Sequence, residues 1–203
     1  MYWVNPYCFY FFPFIFLSMK QVLILLGKAR SGKDTVADFL VKEFGFKKFV
    51  FSSVLEEELI KQGKEVSKKS MALLGDELRK EFGMGVIAQK LLEKQTFEKS
   101  LNKKEEEKIV FVGARSTEEI ELIKQRFSEA KLVLIKAEEN ERFERRSELD
   151  PDELEEFSFR DKLDEEKKGM KNVFLLAEFK IDNNGSLNDL FEKTRDLMGN
   201  LFK

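Results

Sequence analysis

The chain of 203 residues has no histidine, a single cysteine and three prolines. Without histidine there is no imidazole general base and no histidine-ligated metal. One cysteine, Cys8, excludes an internal disulfide and a cysteine-ligated zinc site, so a reducing, cytoplasmic setting fits. A basic excess is missing too. Lys and Arg number 36 against 38 Asp and Glu, a net charge of −2, and charge gives no reason to expect nucleic acid as a partner.

Residues 1–18 differ from the rest. They hold the one tryptophan, the one cysteine, all three tyrosines and two of the three prolines. A secretory signal needs a positive start and a small-residue cleavage site, and this head has neither. It is short for a membrane-spanning helix and is interrupted by Pro6 and Pro13. Three readings stay open: an extension outside the fold with Met19 as the natural start, a membrane-surface or partner-binding tail, and a segment packed into the core. The expected organisation is an extension at 1–18 and one domain at 19–203, with no firm membrane association.

What is present is a phosphate-binding signature. Gly27–Thr35 reads GKARSGKDT, follows the apolar run Val22–Leu26 and precedes a helix-patterned stretch, Val36–Phe44. Glycine at the start, a Gly-Lys pair five residues on and the strand–loop–helix context together specify such a loop. Gly27 lets the backbone leave the strand, and Gly32 lets it approach phosphates with no Cβ in the way. Backbone N–H groups of Ala29, Arg30, Ser31 and Gly32, with the helix N-terminus, cradle anionic oxygens. Lys33 places an ammonium on the β and γ phosphates of a nucleotide. The residue after the lysine is Asp34 rather than Ser or Thr, and Thr35 comes one later. A plain glycine-rich turn explains the loop less well, because motif and context agree.

Strands and helices alternate along the rest. Strands are expected at Gln21–Leu26, Lys47–Phe51, Ile109–Val112, Lys131–Lys136 and Phe179–Ile181. Between them the pattern predicts helices from about Lys33 to Phe44 with Gly45 as C-cap, from Ser53 as N-cap to about Gln62, over Ser70–Phe82, and on to about Lys99. Asn102–Lys108 reads as a solvated linker. Further helices start at Thr117 as cap, at Glu138–Arg146, at Phe157–Lys168 and after the Asp182–Ser186 turn. This alternation is the signature of an α/β fold: a five-stranded parallel sheet with helices on both faces. Asp161, Asp164, Glu165 and Glu166 read as a solvated helix face beside Lys167 and Lys168 rather than as a metal site.

The stretches LILLGKARSGKDTVADFL, LLGDELRKEFGMGVIAQKLL, VFVGARSTEEIELIKQRF, ERFERRSELDPDELEEFSFRDKLDE and KIDNNGSLNDL span Gln21 to about Met198. They resemble nucleoside monophosphate kinase-type P-loop proteins, the adenylate-kinase-related proteins above all. RSGKDT with VADFL is also similar to deoxynucleoside monophosphate kinases, and IDNNGSLNDL to dephospho-coenzyme A kinases. The resemblance implies a three-layer P-loop NTPase fold that takes ATP and magnesium. It implies phosphoryl transfer to a small phosphorylated acceptor, with an acceptor flap at about 53–100 and a short lid at about 142–160.

By that resemblance, residues Gly27 to Thr35 hold the donor's phosphates, and Asn183, Gly185 and Ser186 lie beside its base. Ser53, Arg79, Arg115 and Arg160 serve the acceptor. Arg142, Arg145 and Arg146 stand at the lid's arginine positions; Arg145 and Arg146 are not separable from sequence, and both join Lys33 and Arg115 as catalytic candidates. Rival readings are a surface salt bridge for Arg79, a solvated helix face for the lid arginines and contact with water for Lys28. Strand three commonly ends in a magnesium-shell aspartate in such proteins. Here that position is Val112, and Asp34, with Thr35, is the candidate to replace it. This departure feeds two alternatives to a monophosphate kinase: a dephospho-coenzyme A kinase-like enzyme, and a nucleotide-binding ATPase or switch without a small acceptor. Neither the acceptor's identity nor the oligomeric state is legible.

Overall fold

Every strand is parallel to its neighbours, and the order across the sheet is β2-β3-β1-β4-β5. The computed structural model describes residues 20–101, 108–147, 150, 153–167 and 170–202. The readings of 1–18, and of the linker but for Lys108, lie outside these. The strands are β1 (Gln21–Leu26), β2 (Lys47–Val50), β3 (Lys108–Val112), β4 (Lys131–Lys136) and β5 (Phe179–Asp182). The helices are α1 (Lys33–Phe44), α2 (Phe51–Lys61), α3 (Lys68–Phe82), α4 (Val86–Leu101), α5 (Thr117–Arg126), α6 (Glu139–Glu144), α7 (Leu154–Lys167), α8 (Met170–Leu175) and α9 (Leu187–Leu201). Among the described residues no helix is long and apolar enough to cross a membrane.

β1 is apolar throughout because both of its faces are covered, which is what parallel central strands require. Alternate side chains enter two cores. Val22, Ile24, Phe111 and Leu132 join Leu59, Leu91 and Ile123 of α2, α4 and α5. Leu23, Leu25, Val110 and Val133 join Leu40 of α1 and Leu190 of α9 on the other face. Phe39 and Phe191 stack at 4.3 Å between centroids and tie α1 to α9. The three-layer α/β expectation is met.

Element boundaries moved where caps decided them. β2 stops at Val50, because Phe51 is buried and already helical. Ser53 is therefore not the N-cap of α2: it is the third helical residue, and its hydroxyl donates to the Val50 carbonyl at 2.8 Å. α3 begins earlier than expected because Ser67 and Ser70 form a reciprocal capping box. α5 is capped by Ser116 rather than Thr117, with Ser116 Oγ accepting from Glu119 N at 3.2 Å. α8 was not expected as a helix. Gly45 ends α1 at φ 72, as expected, and Ser186, the last residue of the expected turn, caps α9. Ser116→Ala should lower the unfolding free energy by about 1 kcal/mol. Thr117→Ala should stay within about 0.5 kcal/mol of the parent. Urea titrations of the two variants read the difference.

Candidate functional site

Because all strands run the same way, the turns after β1, β3, β4 and β5 emerge at one edge. The strand order reverses about β1 there: the chain first goes outward to β2 and later crosses to β4. Open α/β sheets bind ligands in the crevice at such a point. Register aligns the strand ends, with Leu25 opposite Val112, Leu26 opposite Leu134 and Lys136 opposite Asp182.

The turn after β1 has the conformation its glycines allow. Gly27 has φ 153, and a Cβ there would lie 2.6 Å from the Ile135 carbonyl oxygen. Gly32 has φ 97, and a Cβ there would strike Asn183 Nδ2 at 2.3 Å. That nitrogen instead donates to the Ser31 carbonyl at 2.8 Å, in a buried hydrogen bond. Asn183 thus buttresses the loop from beneath. Ser31 Oγ is buried with no hydrogen-bond partner, an unmet polar group inside the loop. Arg30 takes φ 61, a region that side chains disfavour.

The Arg30 guanidinium is committed elsewhere. Its Nε donates to Asp150 at 2.6 Å and its Nη2 bonds Ser147 Oγ. Asp150 has a fully buried carboxylate that also pairs with Lys68 of α3 and accepts from Ser147 N at 3.1 Å. One acid thereby joins the loop, α3 and the turn after α6. Ala29 presents its carbonyl to Arg142 Nη1 at 3.1 Å. Arg142 is 2% exposed, pairs with Asp161 at 2.5 Å and lies over the Phe157 ring. The expectation for Asp161 is corrected here, and the rival reading of Arg142 fails. Arg142 is not on a solvated face, and Asp161 is buried rather than solvated; each is needed to neutralise the other. Lys28, expected to face water, has Nζ 3.9 Å from Asp161.

The other two lid arginines separate cleanly. Arg145 Nη1 donates to the Asn183 carbonyl at 2.8 Å and pairs with Glu141. Arg146 covers the Phe143 ring at 4.1 Å and bonds that residue's carbonyl at 3.2 Å. Gly185 leaves space for Asp189, whose oxygen would lie 2.7 Å from a Cβ. The Ser186 hydroxyl and amide hold the Asp189 carboxyl below its usual range. Asn183, Gly185 and Ser186 therefore have structural tasks at the β5–α9 turn.

Lys33 opens α1 with Nζ 3.2 Å from the Asp34 carboxylate. Asp34 is exposed, with Lys48 of β2 3.8 Å away, and Thr35 is exposed beside it. Val112 is buried in the core against α1, so no acid ends β3. Among the described residues no cluster of three or more acids or cysteines could hold a metal unaided. Magnesium keeps several waters and needs only one or two carboxylates beside phosphates, so Asp34 suits an ion that arrives with a nucleotide.

Past β3, Arg115 is half-buried, and no carboxylate among the described residues pairs with its side chain. Its amide donates to Glu119 Oε2 at 2.6 Å. Arg79 Nη2 donates to Glu119 Oε1 at 2.9 Å, with 8% and 0% of the two side chains exposed. The surface salt bridge foreseen for Arg79 is a buried one. Removing one member of such a pair costs on the order of 3–5 kcal/mol, so the pair persists. Glu119 was missed from sequence: in STEEIE it reads as one acid among three. Glu118, its exposed neighbour, is held below the usual carboxylate range by a backbone hydrogen bond at the helix start and by the Ser116 and Thr117 hydroxyls. Arg160 belongs to α7, but its side chain lies outside the described residues.

Asn183→Ala leaves the Ser31 carbonyl without its buried donor. It should cost roughly 1–3 kcal/mol in urea unfolding and weaken triphosphate binding measured by calorimetry.

No protein-family model matches the chain. It is 33% identical over 193 residues to a UPF0200/UPF0201 protein of Archaeoglobus fulgidus, covering 92% of this chain and 57% of that one. It is 28% identical over 187 residues to a UPF0200 protein of Thermococcus kodakarensis, covering 88% and 96%. The chain thus spans little more than half the length of the first relative and nearly all of the second. Among solved structures, shikimate kinase from Bacteroides thetaiotaomicron superposes with a TM-score of 0.57 at 16% identity, over 89% of this chain and 98% of that one. Shikimate kinase from Acinetobacter baumannii in complex with shikimate gives 0.55 at 19%, over 92% and 97%. A Thermus thermophilus protein gives 0.59 at 21%, over 91% and 100%. Sheet order, loop and these likenesses agree: the chain has an α/β P-loop kinase-like fold and has UPF0200 proteins among its homologues.

Proposed function

We propose that this chain is an ATP-dependent phosphotransferase whose acceptor is a small phosphorylated molecule, most simply a nucleoside or deoxynucleoside monophosphate. The observation that carries the reading is the pairing of two cations at one sheet edge. Lys33 follows a loop held open by Gly27, Gly32 and Asn183, and Arg115 stands past β3 with no carboxylate among the described residues on its side chain. The kinase-like fold supports it.

Phosphoryl transfer asks a protein for position and charge more than for covalent chemistry. The lack of histidine is therefore no obstacle. The loop's amides and the start of α1 receive the donor's phosphates, and the Ser31 hydroxyl offers a further donor. Lys33 neutralises charge on the transferring group. Arg115 grips the acceptor's anion with a planar fork that fixes direction as well as charge. An acceptor oxygen then bonds to the γ phosphorus as the bond to the β–γ bridging oxygen breaks, and the electron pair leaves with the diphosphate. Asp34 and Thr35 are the residues that would hold a magnesium ion, which would supply positive charge to the donor's phosphates. The segment from α2 to α4 serves as acceptor flap, and the segment from α6 into α7, pinned through Arg142 and Asp150, as lid.

One observation favours a second reading. The apolar, buried Val112 leaves the end of β3 without an acid, which suits a nucleotide-binding ATPase or switch working through a partner. A panel of monophosphates and dephospho-coenzyme A, incubated with protein, ATP and magnesium, separates the two. The phosphotransferase reading requires that one acceptor raise ADP formation. Slow hydrolysis indifferent to every acceptor favours the switch instead.

Lys33→Met should lower turnover about a hundredfold or more while the fold is kept. Arg115→Met should raise the acceptor KM roughly ten- to hundredfold, the range for losing a charge-assisted contact, with a smaller change in the KM for ATP. Steady-state kinetics with each substrate varied reads both.

A further inference from the structure

Glu119 is a wholly buried acid at the carboxyl edge, and phosphoryl transfer has given it no task so far. It is the third residue of α5, where a glutamate ordinarily folds back onto the amide of the capping residue. The cap here is Ser116, yet the Glu119 carboxylate passes it and takes the amide of Arg115 at 2.6 Å. Its other oxygen takes Arg79 Nη2 at 2.9 Å. The two oxygens of one side chain thus join α3 to Arg115, whose guanidinium pairs with no carboxylate among the described residues.

The surroundings are built for this arrangement. Gly75, one turn before Arg79 on α3, is buried, and a Cβ there would lie 3.1 Å from Arg79 Nη1. Arg79 Nε is buried without a partner, so the guanidinium is shut in around its single carboxylate. Were Arg79 to turn toward a ligand, Glu119 would be left as a lone charge in a site closed to water.

We propose that Glu119 is a positioning residue that fixes Arg115 for the acceptor's anion, and that Arg79 neutralises Glu119 instead of touching the acceptor. The proposal rests on the reading of Arg115 as the acceptor's anchor. It refines the substrate class: the acceptor presents an anionic group that a single guanidinium holds at this place, where the family resemblance put two.

The test uses the full chain, labelled with nitrogen-15 at arginine, and inorganic phosphate as the probe. Phosphate should move the Arg115 side-chain Nε–H resonance and leave that of Arg79 in place. In Glu119→Gln the half-saturating phosphate concentration for Arg115 should rise on the order of tenfold, as when the hydrogen-bond support of other ligating groups is removed. In the acceptor assay the same variant should raise KM with kcat largely kept. Arg79→Met alone should lower the melting temperature. The double variant Arg79→Met with Glu119→Gln should regain much of it while keeping the weak phosphate binding of Glu119→Gln. That double variant also carries the titration should Glu119→Gln alone not fold.

An Arg79 resonance that follows phosphate with the same midpoint as Arg115 overturns the proposal. So does a Glu119→Gln protein with parental phosphate affinity, or a double variant whose melting loss is merely the sum of the two single losses. A chain that titrates as expected but phosphorylates no acceptor refutes the phosphotransferase reading and leaves the Glu119 assignment standing.

Discussion

The amide of Asn183 reaches under the loop after β1 and holds the Ser31 carbonyl, and the shape of the whole edge follows from that contact. It needs β5 to end level with β1, which two parallel pairings through β4 bring about. It needs position 32 to lack a Cβ, since that atom would occupy the place of the amide nitrogen. With Ser31 O drawn down toward β5 the loop is held from below. The loop also closes a turn of its own, in which the Ser31 amide donates to the Lys28 carbonyl at 3.2 Å.

Around this loop the positive charges are shared out with care. Arg30 and Lys68 go to Asp150, Arg142 to Asp161 and the Ala29 carbonyl, Arg145 to the Asn183 carbonyl, and Arg79 to Glu119. These ties link parts of the chain far apart in sequence, and the best buried of them persist because a lone charge in a dry site is costlier than a paired one. Among the described residues Lys33 has the exposed Asp34 beside it, and no carboxylate pairs with the Arg115 side chain; the proposed function rests on these two. The edge is thus rich in arginine and yet selective in what it offers. A count of basic residues would overstate its appetite for phosphate.

The same sharing-out of charge bears on the magnesium of the proposed function. The apolar core against α1 claims Val112, and the acid that remains near the loop is Asp34, on the first turn of α1. A single exposed carboxylate suits an ion that is already chelated by phosphates, and no cluster among the described residues would hold one alone.

Much of this was legible in the chain. The apolar runs of β1, β3 and β4, the GKARSGKDT loop, Gly45 and Ser186 each act through local chemistry: a strand buried on both faces, a turn that needs glycine, a cap beside its helix. The caps at Ser53 and Thr117 were misplaced by one to three residues, since neighbouring Ser and Thr compete and packing of Phe51 and Glu119 chose between them. The partners of the arginines were not legible at all. ERFERR and STEEIE both read as charged helix faces, but Arg142 and Glu119 are sealed in the interior while Glu118 stays outside. Local order is set by groups a few bonds apart, so the sequence by itself determined the fold class, the loop and its lysine. Which charges neutralise one another depends on residues 19 to 120 positions apart meeting at one sheet edge, and only the tertiary structure decided that.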